Sequence, residues 1–341
     1  VALYNMSMYS IDYEIINPQG QIDTLSGLVS FPLKPTKIFP IASYQHGTTI
    51  EDDNVPSVTG LSISNQEVSL ISMIMASTGF IIMLPDYAGL GSSEGYHPYI
   101  IAETYTPAIT NMIRAVKYLS SELNLNNSFM YNNQLYLFGY SEGGYATLAA
   151  QRDIEQSMLN EFNLTASFPM AGPYDLSGTM VDFYLSINFY SQPYYVANVL
   201  FNHLYYYDNL DNLDQYFLPF WADTLPALFD GTHSGNQINS LMPDDPLEIL
   251  LPETIADFSI NTDNFFRQTL EENTLLDWVP VSPTYFIHAT ADDIVPFTNS
   301  VVACSTFIQQ GSESVYLIEM PESVGAHEDA APSCLLTALD T

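Results

Sequence analysis

The sequence predicts an α/β fold: a mostly parallel, doubly wound sheet with an antiparallel start and an inserted, mainly helical cap. Three observations carry this. Short apolar strand runs alternate with helical stretches along most of the chain, and such alternation implies parallel strands joined by right-handed crossovers. The first two runs are instead joined by Asn17-Pro18-Gln19-Gly20, a hairpin signal. From about Asp175 to Glu272 the alternation stops and segments rich in aromatics and Asn take over. The expected division is a core over residues 1–174 and 273–341, with a cap or lid over 175–272 between its two parts.

In chain order, Met8–Ile16 and Gln21–Phe31 alternate in the manner of strands. Phe39–Gln45 reads as a third strand, ending at His46-Gly47-Thr48-Thr49. Ser64–Ser77 reads as a helix with Ile71, Ile74 and Met75 among its apolar positions, and Phe80–Leu84 as a short strand stopped by Pro85. Thr104–Leu123 carries Ile109, Met112, Ile113, Val116 and Leu119 on one face, the spacing of a long amphipathic helix. Gln134–Phe138, Thr165–Met170, Thr284–His288 and Val315–Met320 complete the strands. The stretch 175–272 holds Tyr190-Ser191-Gln192-Pro193-Tyr194-Tyr195, Leu204-Tyr205-Tyr206-Tyr207 and Tyr216-Phe217-Leu218-Pro219-Phe220-Trp221. It reads as helices covering a site, or as a separate helical subdomain.

The 341 residues carry a net charge of −33 with 39 acidic side chains, so the imbalance comes from missing base. The bases are Lys34, Lys37, Arg114, Lys117, Arg152 and Arg267. So negative a surface repels nucleic acid and anionic membranes. Most carboxylates lack a cationic partner, and salt should relieve their mutual repulsion. The balance suits a salty, extracellular setting, so a secreted or periplasmic location with a removed leader is expected. No run reaches the roughly 18 to 20 apolar residues of a membrane span, which argues against stable membrane insertion. Cys304 and Cys334 form a disulfide if the protein is exported, or are two buried thiols. No Cys/His cluster has zinc spacing. Glu51-Asp52-Asp53-Asn54 offers oxygens of the kind calcium prefers, or is a solvated acidic turn. No metal site and no cofactor is expected.

The chemistry centres on Gly139-Tyr140-Ser141-Glu142-Gly143, between the strand run Gln134–Phe138 and the small-residue stretch Gly144–Ala150. Strand, glycine turn and helix are what a nucleophile elbow needs: the serine sits on a sharp apex with its hydroxyl exposed. Gly91-Ser92-Ser93-Glu94-Gly95 matches the same pattern. It lies in a Pro/Gly loop with Tyr96-His97-Pro98 behind it, so it reads as an accidental match.

A serine hydroxyl needs a base within hydrogen-bond reach and a carboxylate to orient that base. His46 and His97 precede the serine; His203 and His233 lie in the insertion; His288 falls inside a strand and reads as a packed core residue. His327 follows the last strand, in Ser323-Val324-Gly325-Ala326-His327, where the base is expected. Asp292, in Ala291-Asp292-Asp293-Ile294-Val295-Pro296, is favoured as the acid over Asp293, which can cap the next helix. Asp175 is a weaker alternative. An oxyanion hole needs two backbone N–H groups; Glu142 is expected to supply one and Thr48, or else Gly47, the other. His46, Gly47, Tyr140, Asp86 and Tyr87, with His97 and Tyr99, are candidates for the site rim.

Ser141, Asp292 and His327, with His46-Gly47, resemble the α/β-hydrolase superfamily. Leu84-Pro85-Asp86-Tyr87-Ala88-Gly89-Leu90-Gly91, followed by Tyr96-His97-Pro98-Tyr99, resembles its secreted lipase/esterase branch, similar to fungal secretory lipases and bacterial relatives. The resemblance covers the chain outside the insertion. It implies a cofactor-free carboxylic-ester hydrolase with these three residues as its triad and the insertion as a lid. The partner is then a small-molecule or lipid ester. A serine peptidase or amidase on the same scaffold, or a binding module without catalysis, are the alternatives.

Overall fold

The computed structural model describes residues 2–34, 37–62, 65–122, 129–207 and 210–341. The expected helix ends at Ser64 and Leu123 lie outside these residues. One sheet organises the chain: β1 (Met6–Ile16), β2 (Ile22–Pro32), β3 (Ile38–Gln45), β4 (Ile81–Pro85), β5 (Met130–Tyr140), β6 (Asn163–Met170), β7 (Thr284–Ala289) and β8 (Val315–Met320). Their spatial order is β1-β2-β4-β3-β5-β6-β7-β8. β1, β2 and β4 pair antiparallel, and all the other neighbours pair parallel. The antiparallel start and the doubly wound remainder are therefore both present.

Side chains alternate between the two faces of each strand, and the core accordingly splits in two. Ile41, Leu135, Leu137 and Phe286 belong to one apolar cluster, with the helices Ala102–Glu122, Glu142–Asp153 and Thr298–Gln309. Ala42, Tyr44, Phe138 and Ile287 belong to the other, with the helices Gln66–Thr78 and His327–Asp340. On Ala102–Glu122, Ile109, Met112, Ile113 and Val116 are fully buried, each contributing about 1.5–3 kcal/mol of burial. Cys304 lies in the first cluster and Cys334 in the second, and both are free thiols. The sheet separates them, so the disulfide expected for an exported chain does not form.

β5 begins earlier than its apolar run suggests. Met130 and Tyr131 pair with Ile38 and Phe39 before a bulge, and Asn133 adopts a left-handed φ of 65°. The polar pair Asn132-Asn133 hides this extension from pattern analysis. Gly91–Gly95 is indeed a loop, in which the Ser93 hydroxyl accepts from Gly89 N–H at 2.9 Å and donates to Asp23 at 3.0 Å.

Between β6 and β7 the chain is helical, including Val181–Ser186, Tyr194–Tyr207, Pro219–Leu228, Pro252–Ile260 and Phe265–Glu272. Two of these start on proline, whose fixed φ and missing N–H suit a first helical position. Phe201, Phe217, Leu225 and Phe266 join the same apolar cluster as Leu137 and Phe286, so this segment packs continuously with the sheet.

Candidate active site

β5 ends at Tyr140, Ser141 turns the chain, and the helix Glu142–Asp153 starts at once. Ser141 holds φ 60° and ψ −123°, a conformation that costs an L-residue energy and is kept only where the surroundings enforce it. The enforcement is visible in the glycines. A Cβ on Gly139 would lie 2.3 Å from the Gly143 carbonyl oxygen, and one on Gly143 would lie 1.9 Å from that of Gln45. Ser141 N–H donates to Met170 O at 2.9 Å, tying the apex to the end of β6.

The three side chains sought in the sequence meet there. His327 Nε2 lies 2.8 Å from Ser141 Oγ, and His327 Nδ1 lies 2.6 Å from Asp292 Oδ2. Because Nδ1 faces a carboxylate it carries the proton, leaving Nε2 free to accept from the serine. Asp292 follows β7 and is held from both sides. Its Oδ1 accepts from Ile294 N–H at 3.0 Å and Val295 N–H at 2.8 Å, and its Oδ2 also meets His288 Nε2 at 3.1 Å. Burial alone would raise the Asp292 pKa. Hydrogen bonds and charge from His288 and His327 outweigh it, and the carboxyl sits well below the ordinary carboxylate range. It stays ionised at any pH where an imidazole can act as base. Any stability it contributes is present above its unfolded-state pKa and is lost only as pH falls through the depressed folded value.

The neighbouring acids do other work. Asp293 accepts from His327 N–H at 3.3 Å, so it caps the helix His327–Asp340 rather than the one after Pro296. Asp175 accepts from Gly178 N–H, Thr179 N–H and the Thr179 hydroxyl, which ties it to its own turn.

His288 is buried, as expected, but its surroundings reach the site. Nε2 faces two acceptors, Asp292 Oδ2 and Val295 O, so it carries the proton, and Nδ1 accepts from the Ser300 hydroxyl at 2.8 Å. Its place inside a strand pattern gave no hint of this. Tyr140 also acts inward, its hydroxyl donating to His327 O at 2.6 Å.

On the other side of Ser141, Glu142 N–H stands at the open start of its helix, where backbone donors lack intrahelical partners. Thr48 lies on the loop after β3, and its hydroxyl shares a hydrogen bond with Tyr99 at 2.9 Å. Gly47 N–H is taken by Glu67 Oε1 at 3.2 Å, leaving Thr48 as the better second donor. The Glu142 side chain is an unexpected feature. Glu142 as a whole is 1% exposed, so its carboxyl is buried. Oε1 meets His97 Nε2 at 2.7 Å and accepts from Tyr105 OH at 2.9 Å, while Oε2 has no hydrogen-bond partner among the described residues. His97 Nδ1–H donates to Ala88 O at 2.8 Å. This contact anchors the loop around His97 to the elbow, across a sequence gap that no local pattern bridges.

Of the residues expected at the rim, His46, Asp86 and Tyr87 are instead buried scaffold. His46 stacks on Tyr87 at 4.2 Å between centroids, and Tyr87 OH donates to His46 O at 3.1 Å. Asp86 is fully buried, accepting from the Ser26 hydroxyl at 2.6 Å and Ser57 N–H at 2.9 Å. The pocket that opens on Ser141 is lined by Tyr99, one of the rim candidates, together with Leu176, Met180, Tyr184, Tyr190 and Tyr195. Among the described residues, no group of three or more His, Cys, Asp or Glu side chains is placed to hold a metal ion. None of their helices is long and apolar enough to cross a membrane.

This architecture matches known proteins. The profile of the Prolyl oligopeptidase family matches residues 66–217, which include Ser141 but neither Asp292 nor His327. No curated protein sequence matches the chain. A presumed hydrolase from Legionella pneumophila superposes with a TM-score of 0.89 at 28% identity, over 100% of this chain and 89% of that one. The rice cell wall degrading esterase LipA from Xanthomonas oryzae superposes with a TM-score of 0.86 at 28% identity, over 98% and 88%. Candida antarctica lipase A in its closed state reaches 0.73 at 19% identity, over 95% and 74%, and shares the fold. The chain has the α/β-hydrolase fold.

Proposed function

We propose that this α/β-hydrolase is a serine carboxylic-ester hydrolase, working through an acyl-enzyme on esters with apolar acyl or aryl groups. The observation that carries the reading is the continuous hydrogen-bonded line from Ser141 Oγ through His327 to Asp292, at the mouth of an aromatic pocket. Ser141 Oγ attacks the ester carbonyl while His327 Nε2 takes its proton. The tetrahedral oxyanion is received by Glu142 N–H and Thr48 N–H. The C–O bond to the alcohol then breaks, and His327 returns the proton to the departing oxygen. Water, deprotonated by the same nitrogen, attacks the acyl-enzyme and releases the acid and Ser141. Asp292 holds His327 in the required tautomer and stabilises the imidazolium. The LipA neighbour supports ester chemistry. A secreted or periplasmic location, and a small-molecule or lipid ester as substrate, belong to the same proposal.

The Prolyl oligopeptidase profile favours a second reading, amide hydrolysis by the same serine. Turnover of p-nitrophenyl esters compared with aminoacyl p-nitroanilides separates the two. The ester reading predicts that kcat/KM for the ester is higher by at least about 100-fold, since Glu142 is the one carboxylate among the described residues that line the pocket, too few to hold a peptide's amine terminus as a pair would. Equal or preferred anilide turnover would reassign the enzyme as an amidase or peptidase.

A further inference from the structure

We infer that His97 is a positioning residue for the oxyanion side of the site: as an imidazolium it neutralises the buried Glu142 carboxylate, so that Glu142 offers its backbone N–H without its charge. This rests on the proposed acyl-enzyme chemistry, in which Glu142 N–H receives the oxyanion. The side chain of Glu142 has no exposed surface and that of His97 is 8% exposed. His97 Nδ1 and Nε2 face two acceptors, the Ala88 carbonyl at 2.8 Å and Glu142 Oε1 at 2.7 Å, so both nitrogens carry protons. Tyr105 OH accepts from Ile100 N–H at 3.0 Å, which turns its own proton toward Oε1 at 2.9 Å, as suits an ionised carboxylate. Among the described residues, the ion pairs of Lys and Arg are Arg114–Glu161 and Arg152–Asp153, which leaves His97 as the cation at Glu142.

The chain around His97 holds this pair in place. A Cβ on Gly89 would lie 2.5 Å from His97 N, so the loop after β4 closes tightly on itself. Two residues beyond His97, the Tyr99 hydroxyl shares a hydrogen bond with that of Thr48 at 2.9 Å. One short segment therefore braces the residues of both oxyanion donors. The field of the carboxylate reaches the pocket: burial first, and the Glu142 charge second, push up the pKa of the Tyr99 hydroxyl, whose ring lines it. Glu142 Oε2 has no hydrogen-bond partner among the described residues, so the charge rests on His97 and Tyr105. A carboxylate left unpaired beside a developing oxyanion repels it most in the transition state, because a buried site screens the two charges weakly. The loss then falls on kcat rather than on KM.

His97→Gln keeps an N–H for Oε1 and removes the positive charge. Its rates are measured on a p-nitrophenyl ester and normalised to sites titrated with a fluorophosphonate, so that misfolded protein is not counted. kcat should fall about 10- to 100-fold with KM nearly unchanged. Adding Glu142→Gln to His97→Gln should raise kcat again by at least about 5-fold, because the amide removes the unpaired charge. An unchanged kcat in His97→Gln, or a double variant no faster than that single one, overturns the inference. Glu142→Gln alone, close in shape to the native side chain, gives a second test that needs neither activity nor a folded His97→Gln. In ¹⁵N-histidine NMR spectra at neutral pH, the wild type should show an imidazolium with both nitrogens protonated that is absent from Glu142→Gln. Identical histidine spectra in the two proteins overturn the inference. If the wild type turns over no ester, the ester reading fails, and the NMR comparison still decides the His97–Glu142 pair.

Discussion

Ser141→Ala lowers kcat for ester hydrolysis by about 10⁴- to 10⁶-fold and leaves the melting temperature essentially unchanged. The loss is large because the hydroxyl forms the covalent bond and nothing else at the site can replace it. The fold survives because Ser141 already holds φ 60°. Alanine there inherits the same strain from the same glycine-packed surroundings, and the hydrogen bond it removes is the one to His327. His327→Ala should fall into the same range, and the double variant should lose little beyond either single change, because the two act as one unit. Steady-state kinetics on a short p-nitrophenyl ester read all three. A Ser141→Ala protein within about 10-fold of wild type would place the chemistry elsewhere.

Gly143→Ala acts through the fold rather than the chemistry. Its new Cβ would stand 1.9 Å from the Gln45 carbonyl oxygen, 2.6 Å from the Gln45 carbonyl carbon and 2.8 Å from the His46 carbonyl oxygen. All three are backbone atoms at the end of β3, with no flexible side chain to yield. Overpacking of this kind costs about 3 kcal/mol or more, which lowers the melting temperature by roughly 4 °C or more, or prevents soluble expression. Gly47→Ala, whose Cβ meets nothing closer than 3.7 Å, should leave the melting temperature unchanged. Calorimetry on the two variants makes the comparison. A Gly143→Ala protein as stable as the Gly47→Ala protein would mean that the elbow is looser than its packing implies.

Much of the arrangement is written locally. Ser141, Asp292 and His327 each follow a strand run, and in a parallel sheet every such loop opens on the same edge, so strand order alone brings distant positions near one another. The glycines around Ser141 are legible for the same reason, since the tight turn between β5 and its helix leaves no room for a side chain. What the sequence hides is pairing across the interior. His97 and Glu142 meet only because the loop after β4 folds back onto the elbow, and neither residue's neighbours encode the other. His288 sits four residues before Asp292 yet looks like one more core position, because strand periodicity says which face a residue takes and nothing about its hydrogen bonds. Asp86 and Tyr87 follow a strand as good rim candidates should. The buried partners Ser26 and the His46 carbonyl draw them inward instead.

Activation of Ser141 by His327 is tested most directly by labelling with a fluorophosphonate, read by peptide mass spectrometry. Native protein should acquire one adduct, on the peptide containing Ser141. Labelling should be lost on denaturation and slowed by orders of magnitude in His327→Ala. An adduct on Ser93 in the second glycine-flanked motif, or labelling of Ser141 at an undiminished rate without the His327 imidazole, would contradict it.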